Sequence, residues 1–291
     1  MKIRVAAIGL LAVSGLVWAA PDLNETFNGL KDAVEKKDAA QVKTLAGQTS
    51  KEAKELMKEA DPGGGGTEAW KARQQFAKDA DDYSAYSLAA TGMQVPASIV
   101  DLTDTLIAQD PKSKHIDTVA PYYLQALGKQ GAAKANAGAQ KILAGRPENE
   151  DALLQLANGN PQYANKLVQV MRTKAKPEGV SDADWERRKS SMIINGTYAG
   201  AVGPCARNAW AECDRAMKAA EPVLKGSAMA GTMYFYLGAA NYQLGLLTQD
   251  KAKRLAGLNY TKQAAGMPGP SQGQAAQNVG LMARELGVAA K

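Results

Sequence analysis

Apolar residues recur at helical spacing through almost the whole chain, and this pattern sharply limits the possible folds. No convincing alternation of apolar and polar residues, the pattern of a half-buried strand, is present. Alanine supplies much of the 45% hydrophobic content, while valine, isoleucine and phenylalanine are sparse. Because alanine favours helix and β-branched residues favour sheet, the sequence predicts an all-α fold.

Prolines and glycines divide the predicted helices into pairs. The pairs are 67–92 with 96–110, 116–129 with 132–144, 150–157 with 161–173, 181–201 with 209–220, and 228–244 with 249–265. They recur at intervals of about 35 to 45 residues, as in solenoids built of helical hairpins. Each hairpin in such an array has two apolar faces that only its neighbours cover. A last, more polar helix at 272–286 would then cap the array.

The N-terminus reads "MKIRVAAIGLLAVSGLVWAA". Basic Lys2 and Arg4 precede an apolar segment, and small residues stand at Val17 and Ala19. This pattern is typical of a secretory signal peptide, here 1–19, cleaved after Ala19. Because the apolar run is shorter than the ~20 residues of a spanning helix, we expect an exported protein, periplasmic or secreted, without stable membrane insertion.

Residues 20–62 are predicted to form a separate region of short helices, at 24–36, 39–46 and 50–60. The segment "DPGGGG" follows, and its four glycines would suit a phosphate cradle. The Lys-Ser/Thr pair that completes a P-loop is absent, since Thr67 and Glu68 come next. We therefore interpret 63–66 as a flexible linker and 67–291 as the solenoid with its capping helix.

Residues with catalytic or metal-binding chemistry are few. His115 is the one histidine of the chain, and it falls in a predicted surface loop between helices with no marked nucleophile nearby. A zinc site from this histidine and two cysteines would need a ligand spacing that the sequence lacks. We therefore predict no catalytic residue, no metal site and no cofactor.

Positive charge is modest, and we expect no nucleic-acid partner. The formal net charge is +6 over 291 residues, without a dense basic stripe. One looser cluster lies on the third and fourth pairs of helices and on the loop between them. It comprises Lys166, Arg172, Lys174, Lys176, Arg187, Arg188 and Lys189. We interpret it as a solvated face; contact with an acidic peptide or anionic polymer is the alternative.

Cys205 and Cys213 are the only cysteines. An oxidising compartment would favour a disulfide between them. On a single helix, however, eight residues at ~1.5 Å each would separate them by ~12 Å, and a bridge tolerates at most ~7 Å between Cα atoms. A bridge would require Cys205 to fold back in the turn, so we favour two thiols, with Cys213 a small buried residue.

The segment "YFYLGAANYQLG" resembles the first helix of the tetratricopeptide repeat, whose pattern is Trp-x2-Leu-Gly-x2-Tyr. Tyr234 stands in the place of the tryptophan, and Leu237 and Gly238 match directly. Tyr242 is one position later than the family tyrosine, and Gly245 falls at the turn between the helices. Small residues at these points would let the two helices approach closely.

Earlier hairpins look like weaker copies of this repeat. With Asn208 at the turn, Ala201 and Cys213 take small-residue positions. With Gly131 at the turn, Leu124 takes the position of the small residue. The chain is therefore similar to exported bacterial tetratricopeptide proteins, in four or five degenerate repeats over 67–287. This resemblance implies a right-handed superhelical solenoid of antiparallel helix hairpins.

The resemblance also implies a function. Tetratricopeptide arrays bind extended peptides or partner helices in a concave groove lined by the first helices. The positions that line it here are Asn195, Tyr198, Phe235, Ala239, Tyr242 and Gln243. We thus expect a non-enzymatic interaction module with a protein or peptide partner, although these residues could instead belong to the core. A scaffold that uses its outer face or its caps is the alternative, and an enzyme is the least favoured class.

Overall fold

The computed structural model of the protein describes residues 21–290. These residues form thirteen α-helices and no strand, which confirms the all-α prediction for this part of the chain. The predicted signal peptide, 1–19, lies outside the described residues. Among the helices that are described, none is both long and apolar enough to cross a membrane.

Short turns and loops connect the helices. They are α1 (Pro21–Glu35), α2 (Ala39–Leu56), α3 (Thr67–Gln94), α4 (Ile99–Gln109), α5 (His115–Lys129), α6 (Ala132–Gly145), α7 (Glu150–Ala157), α8 (Pro161–Thr173), α9 (Asp182–Ala206), α10 (Trp210–Leu224), α11 (Ala230–Leu247), α12 (Lys251–Ala265) and α13 (Gln272–Leu286). The predicted bounds of α7, α8 and α13 are confirmed, and the ends of most others differ by a few residues.

Local side-chain signals set many of these ends. Ser181 caps α9, because its Oγ accepts a hydrogen bond from the backbone N–H of Asp184 at 3.1 Å. Asp38 caps α2 in the same way. The predicted turn residues Gly131 and Asn208 have φ values of 125° and 59°. Both values lie in the left-handed region that glycine and asparagine tolerate best.

Residues 39–56 form one helix, although the sequence predicted two shorter ones at this place. Two polar residues at this place are accommodated inside the fold. Thr49 and Ser50 are buried, and Ser50 Oγ donates a hydrogen bond to Asp81 Oδ1 of α3 at 2.5 Å. A tertiary partner therefore stabilises α2 where the local pattern predicted an interruption.

The chain divides into two compact units, and the boundary lies inside α5, between Val119 and Ala120. The sequence-based division placed its first boundary at the glycines 63–66 instead. In unit 1, the helices before and after these glycines share one core. Its buried residues are Leu23, Ala53, Leu56, Ala77 and Ala80.

The glycine segment itself is a turn with contacts on both sides. The N–H of Gly63 donates to Asp61 Oδ1 at 2.8 Å, and Gly64–Gly66 form a short 3-10 helix. Trp70 Nε1–H of α3 donates to the carbonyl of Glu59 at 3.0 Å, across the turn. The predicted region of residues 20–62 therefore packs against α3 through a common core.

His115 does not lie in a surface loop, and that prediction is wrong. It is the first residue of α5, and its side chain is only 15% exposed. Its Nε2 lies 3.1 Å from Asp82 Oδ1, and its ring centroid is 5.7 Å from that of Tyr86. Burial lowers the pKa of His115, while the nearby carboxylate of Asp82 acts in the opposite direction.

This histidine gives unit 1 a testable pH dependence. Because the folded-state pKa is lowered, the unfolded chain binds the proton more tightly, and stability is lost as pH falls from about 6.5 through the lowered value. We expect the free energy of unfolding to fall more between pH 7 and pH 5 in the wild type than in His115→Gln. Urea titrations at several pH values measure this difference, and parallel profiles would contradict it.

In unit 2, helices that follow one another in the chain pack together, as α7 does with α8, α9 with α10, and α11 with α12. The first helices of these pairs also touch: α7 contacts α9, and α9 contacts α11. The first helices are therefore neighbours, and the predicted binding residues lie on two of them, α9 and α11.

The closest helix pair of unit 2 is α11 with α12, and glycines make this possible. A Cβ atom on Gly238 would lie 3.1 Å from the carbonyl oxygen of Gly257, and one on Gly257 would lie 2.6 Å from the backbone nitrogen of Tyr242. The prediction that small residues allow this approach is confirmed. Gly245, expected at the turn, lies instead inside the last turn of α11.

Candidate functional site

A shallow, open groove of about 720 Å³ lies between α5 and α7 in unit 2. Each helix lines it with residues at positions i, i+3, i+4 and i+7, the spacing of a single helix face. The α5–α7 groove is lined by Pro121, Leu124, Gln125, Gly128 and Lys129 from α5, and by Asp151, Leu154, Gln155 and Asn158 from α7 and its end.

The groove combines an apolar floor with amide side chains. Leu124 is buried and Leu154 is partly buried, while Gln125 and Asn158 are exposed. Gln155 donates through Nε2 to Asn136 Oδ1 at 2.9 Å, and this bond fixes the orientation of its amide. Amide groups both donate and accept hydrogen bonds, so this arrangement suits a ligand with alternating donors and acceptors, such as a peptide backbone.

A network of four charged residues closes the Asp151 end of the groove. Glu150 Oε2 accepts from Lys174 Nζ at 2.5 Å, and Glu150 Oε1 accepts from Arg188 Nε at 3.2 Å. Arg188 Nη2 also donates to Asp151 Oδ2 at 2.6 Å. Burial raises the pKa of Asp151, and the charge of Arg188 opposes that shift. The network joins α7 to α9, so it fixes the position of the groove wall.

The predicted binding residues lie on the two other first helices. Asn195 and Tyr198 of α9 and Phe235 and Ala239 of α11 are partly buried, and Gln243 is exposed. Tyr198 and Phe235 both pack against the same core. We call these five residues, together with Tyr236, the α9–α11 face.

Three aromatic side chains meet on the α9–α11 face. The rings of Phe235 and Tyr236 pack edge to face, with centroids 5.7 Å apart. Burial, together with the neighbouring Tyr236 side chain, raises the pKa of Tyr198 to about 12. The face therefore presents a mainly apolar surface with phenol groups at its edge.

Tyr242 does not belong to this face in the structure. Its side chain is 4% exposed and packs into a core with residues of α12 and α13, such as Leu258 and Met282. Its hydroxyl donates to Glu285 Oε2 at 2.5 Å. The final helix covers this position, so Tyr242 has the core role that the sequence left open.

Cys205 and Cys213 form a disulfide, with their Cα atoms 4.7 Å apart. The preference for two thiols is wrong, because α9 ends at Ala206 and α10 begins at Trp210. The cysteines thus lie on two helices on either side of a tight turn at Asn208, so the ~12 Å separation along one helix does not apply. Both are buried, as expected for Cys213.

Four of the seven residues of the basic cluster form ion pairs. Lys174 and Arg188 belong to the network described above, Lys176 pairs with Asp182, and Arg187 pairs with Asp184. Within residues 21–290, no group of three or more histidine, cysteine, aspartate or glutamate side chains is placed to hold a metal ion.

Sequence reasoning did not identify the α5–α7 groove, although a signal for it was present. Phe235 and Ala239 lie three residues before and one residue after Gly238. Leu124 was predicted to occupy the repeat position of Gly238. The same offsets from Leu124 give Pro121 and Gln125. Both residues line the groove.

Comparison with protein-family models, with curated proteins and with solved structures found no match to this chain.

Proposed function

We propose that the protein is a non-enzymatic interaction module that binds an extended peptide segment of a protein partner along the first helices of unit 2. The observation that carries this proposal is the α5–α7 groove. Two helices line it with the same spacing of residues, and two of the α5 positions, Pro121 and Gln125, are those that the repeat pattern of α11 marks as groove-lining.

We further propose that the hairpins of residues 120–291 are degenerate tetratricopeptide repeats, arranged as a right-handed superhelical solenoid. Glycine-mediated packing of α11 on α12 supports this proposal. So do the positive φ angles of Gly131 and Asn208, the turn residues of two other hairpins. In this arrangement the α5–α7 groove and the α9–α11 face belong to one extended binding surface.

The chemistry of the groove indicates how a peptide would be held. Apolar side chains of the peptide would lie on Leu124 and Leu154, with a gain of about 25 cal/mol for each Å² removed from water. The amides of Gln125 and Asn158 would bond to its backbone groups. Lys129 also lines the groove, so salt should weaken any contact between its ammonium group and a carboxylate of the peptide.

Export from a bacterial cell remains part of the proposal. The disulfide of unit 2 supports it, because such bonds persist mainly in oxidising compartments such as the periplasm. We therefore place the partner in the cell envelope or outside the cell.

A scaffold that binds through another surface is the second candidate. The observation that favours it is the pair of exposed leucines at the end of α11, Leu246 at 42% and Leu247 at 73% exposure. Leu281 on α13 is also exposed, at 55%. A partner seated on these residues would leave the groove open.

Site-specific photo-crosslinking separates the two candidates. We expect a photoreactive amino acid at Gln125 or Phe235 to give a protein adduct in envelope extracts, and the same group at Leu247 or Leu281 to give none. With the captured partner in hand, Leu154→Ala should weaken binding about tenfold through lost apolar contact, while Leu281→Ala leaves it unchanged. Adducts from Leu247 alone would favour the scaffold.

A further inference from the structure

The α9–α11 face is assembled largely through a third helix. Direct contact between α9 and α11 is slight, whereas α10 packs extensively against both. The position of Tyr198 on α9 relative to Phe235 and Tyr236 on α11 therefore depends on how firmly α9 is held to α10.

The disulfide makes this connection at the C-terminal end of α9. Cys205 lies in the last turn of α9, about two turns after Tyr198 and so on the same side of the helix. Cys213 lies in the first turns of α10, and its Sγ is 4.0 Å from the carbonyl oxygen of Tyr236. One covalent link thus joins the helix of Tyr198 to a residue that contacts the backbone of Tyr236.

The remaining contacts near this turn are weaker constraints. The turn itself is closed by backbone hydrogen bonds, such as that from Ala209 to the carbonyl of Pro204 at 3.0 Å. Gly203 and Ala206 lie on either side of this proline in the last turn of α9. Small residues of this kind add little side-chain packing, and the bridge is the covalent restraint on the end of α9.

We propose that the Cys205–Cys213 disulfide positions the α9–α11 face, by holding α9 against α10 so that Tyr198 lies beside Tyr236. The disulfide is a positioning element and does not itself contact the ligand. Without the bridge we expect weaker binding at the α9–α11 face, an expectation that rests on the function proposed above. The positioning itself can be tested without any partner.

The test uses nuclear Overhauser effects between the rings of Tyr198 and Tyr236 at neutral pH, in protein with labelled tyrosines. We expect these cross-peaks in the wild type and their loss in Cys205→Ala/Cys213→Ala. Single Cys205→Ala, which keeps the buried Cys213 side chain, should lose them as well. Leu153→Ala, a core substitution where α7 packs against α8 and the first half of α9, should keep them, because it destabilises the unit while the bridge, the turn at Asn208 and α10 remain intact.

Retention of the Tyr198–Tyr236 cross-peaks in a folded variant without the bridge would overturn the proposal.

Crosslinking supplies the second measurement. We expect the adduct from a photoreactive group at Phe235 to fall at least threefold when the bridge is removed, and that from Gln125 to persist. Equal adducts from Phe235 with and without the bridge would refute the consequence for binding. A wild type that yields no adduct would instead contradict the proposed function, with the cross-peaks still deciding the positioning.

Discussion

Replacement of Gly257 by alanine should lower the free energy of unfolding of unit 2 by about 3 kcal/mol, the upper end of the usual cost of overpacking. The new Cβ would lie 2.6 Å from the backbone nitrogen of Tyr242 and 2.9 Å from the carbonyl oxygen of Gly238. Both are backbone atoms, so no side chain can rotate away, and α12 would have to move off α11. Thermal unfolding followed by circular dichroism should show a midpoint about 6–12 °C lower.

Gly280→Ala is the matched control. This glycine lies in α13, and a Cβ there would meet nothing within 4 Å. Alanine is favoured over glycine in a helix, so this variant should gain about 0.5–1 kcal/mol. Similar changes in stability for the two variants would show that helix propensity, and not close packing of α11 on α12, determines the effect at Gly257.

Much of the secondary structure could be predicted because its signals are local. A cap such as Ser181, and turn residues such as Gly131 and Asn208, act within a few residues of their own position. The same reasoning identified the small residue Gly238 as a packing position, because the close approach of two connected helices depends on residues within one hairpin.

Features that depend on contacts between distant residues were not predictable in this way. Ser50 stabilises α2 through Asp81 of another helix, so a local pattern predicted a break. Cys205 and Cys213 approach each other because α9 extends to Ala206 before it turns. The sequence pattern predicted the end of α9 at residue 201, five residues before its end in the structure. The disulfide pairing depends on where this helix ends.

The binding residues illustrate the same limit. The repeat pattern places Tyr242 on the groove side of α11, but it does not show which further helix packs there. In the structure α13 covers this position, and Glu285 accepts the hydrogen bond of the phenol. Tyr242 lies four residues after Gly238, and the same offset from Leu124 gives Gly128 on α5, which lines the open α5–α7 groove. Equivalent sequence positions therefore differ in exposure according to their neighbours.

Glu150→Ala should cost unit 2 about 3 kcal/mol, because removal of one partner from a buried ion pair leaves the other charge uncompensated. The Glu150 side chain is 7% exposed, and it accepts from both Lys174 and Arg188. Arg188 keeps its bond to Asp151, so we expect the low end of the usual 3–5 kcal/mol range. Chemical unfolding in urea measures this loss.

Two comparisons show whether the uncompensated charge is the cause. Glu148→Ala removes an exposed glutamate just before α7, and it should change stability by no more than about 0.5 kcal/mol. Lys174→Met combined with Glu150→Ala removes the ammonium group that the single change leaves without its partner, and it should recover part of the loss. No recovery would indicate that Glu150 stabilises the start of α7 directly. Full recovery would mean that only Lys174 depends on this carboxylate. The hydrogen bond from Arg188 to Glu150 would then contribute little to the stability of unit 2.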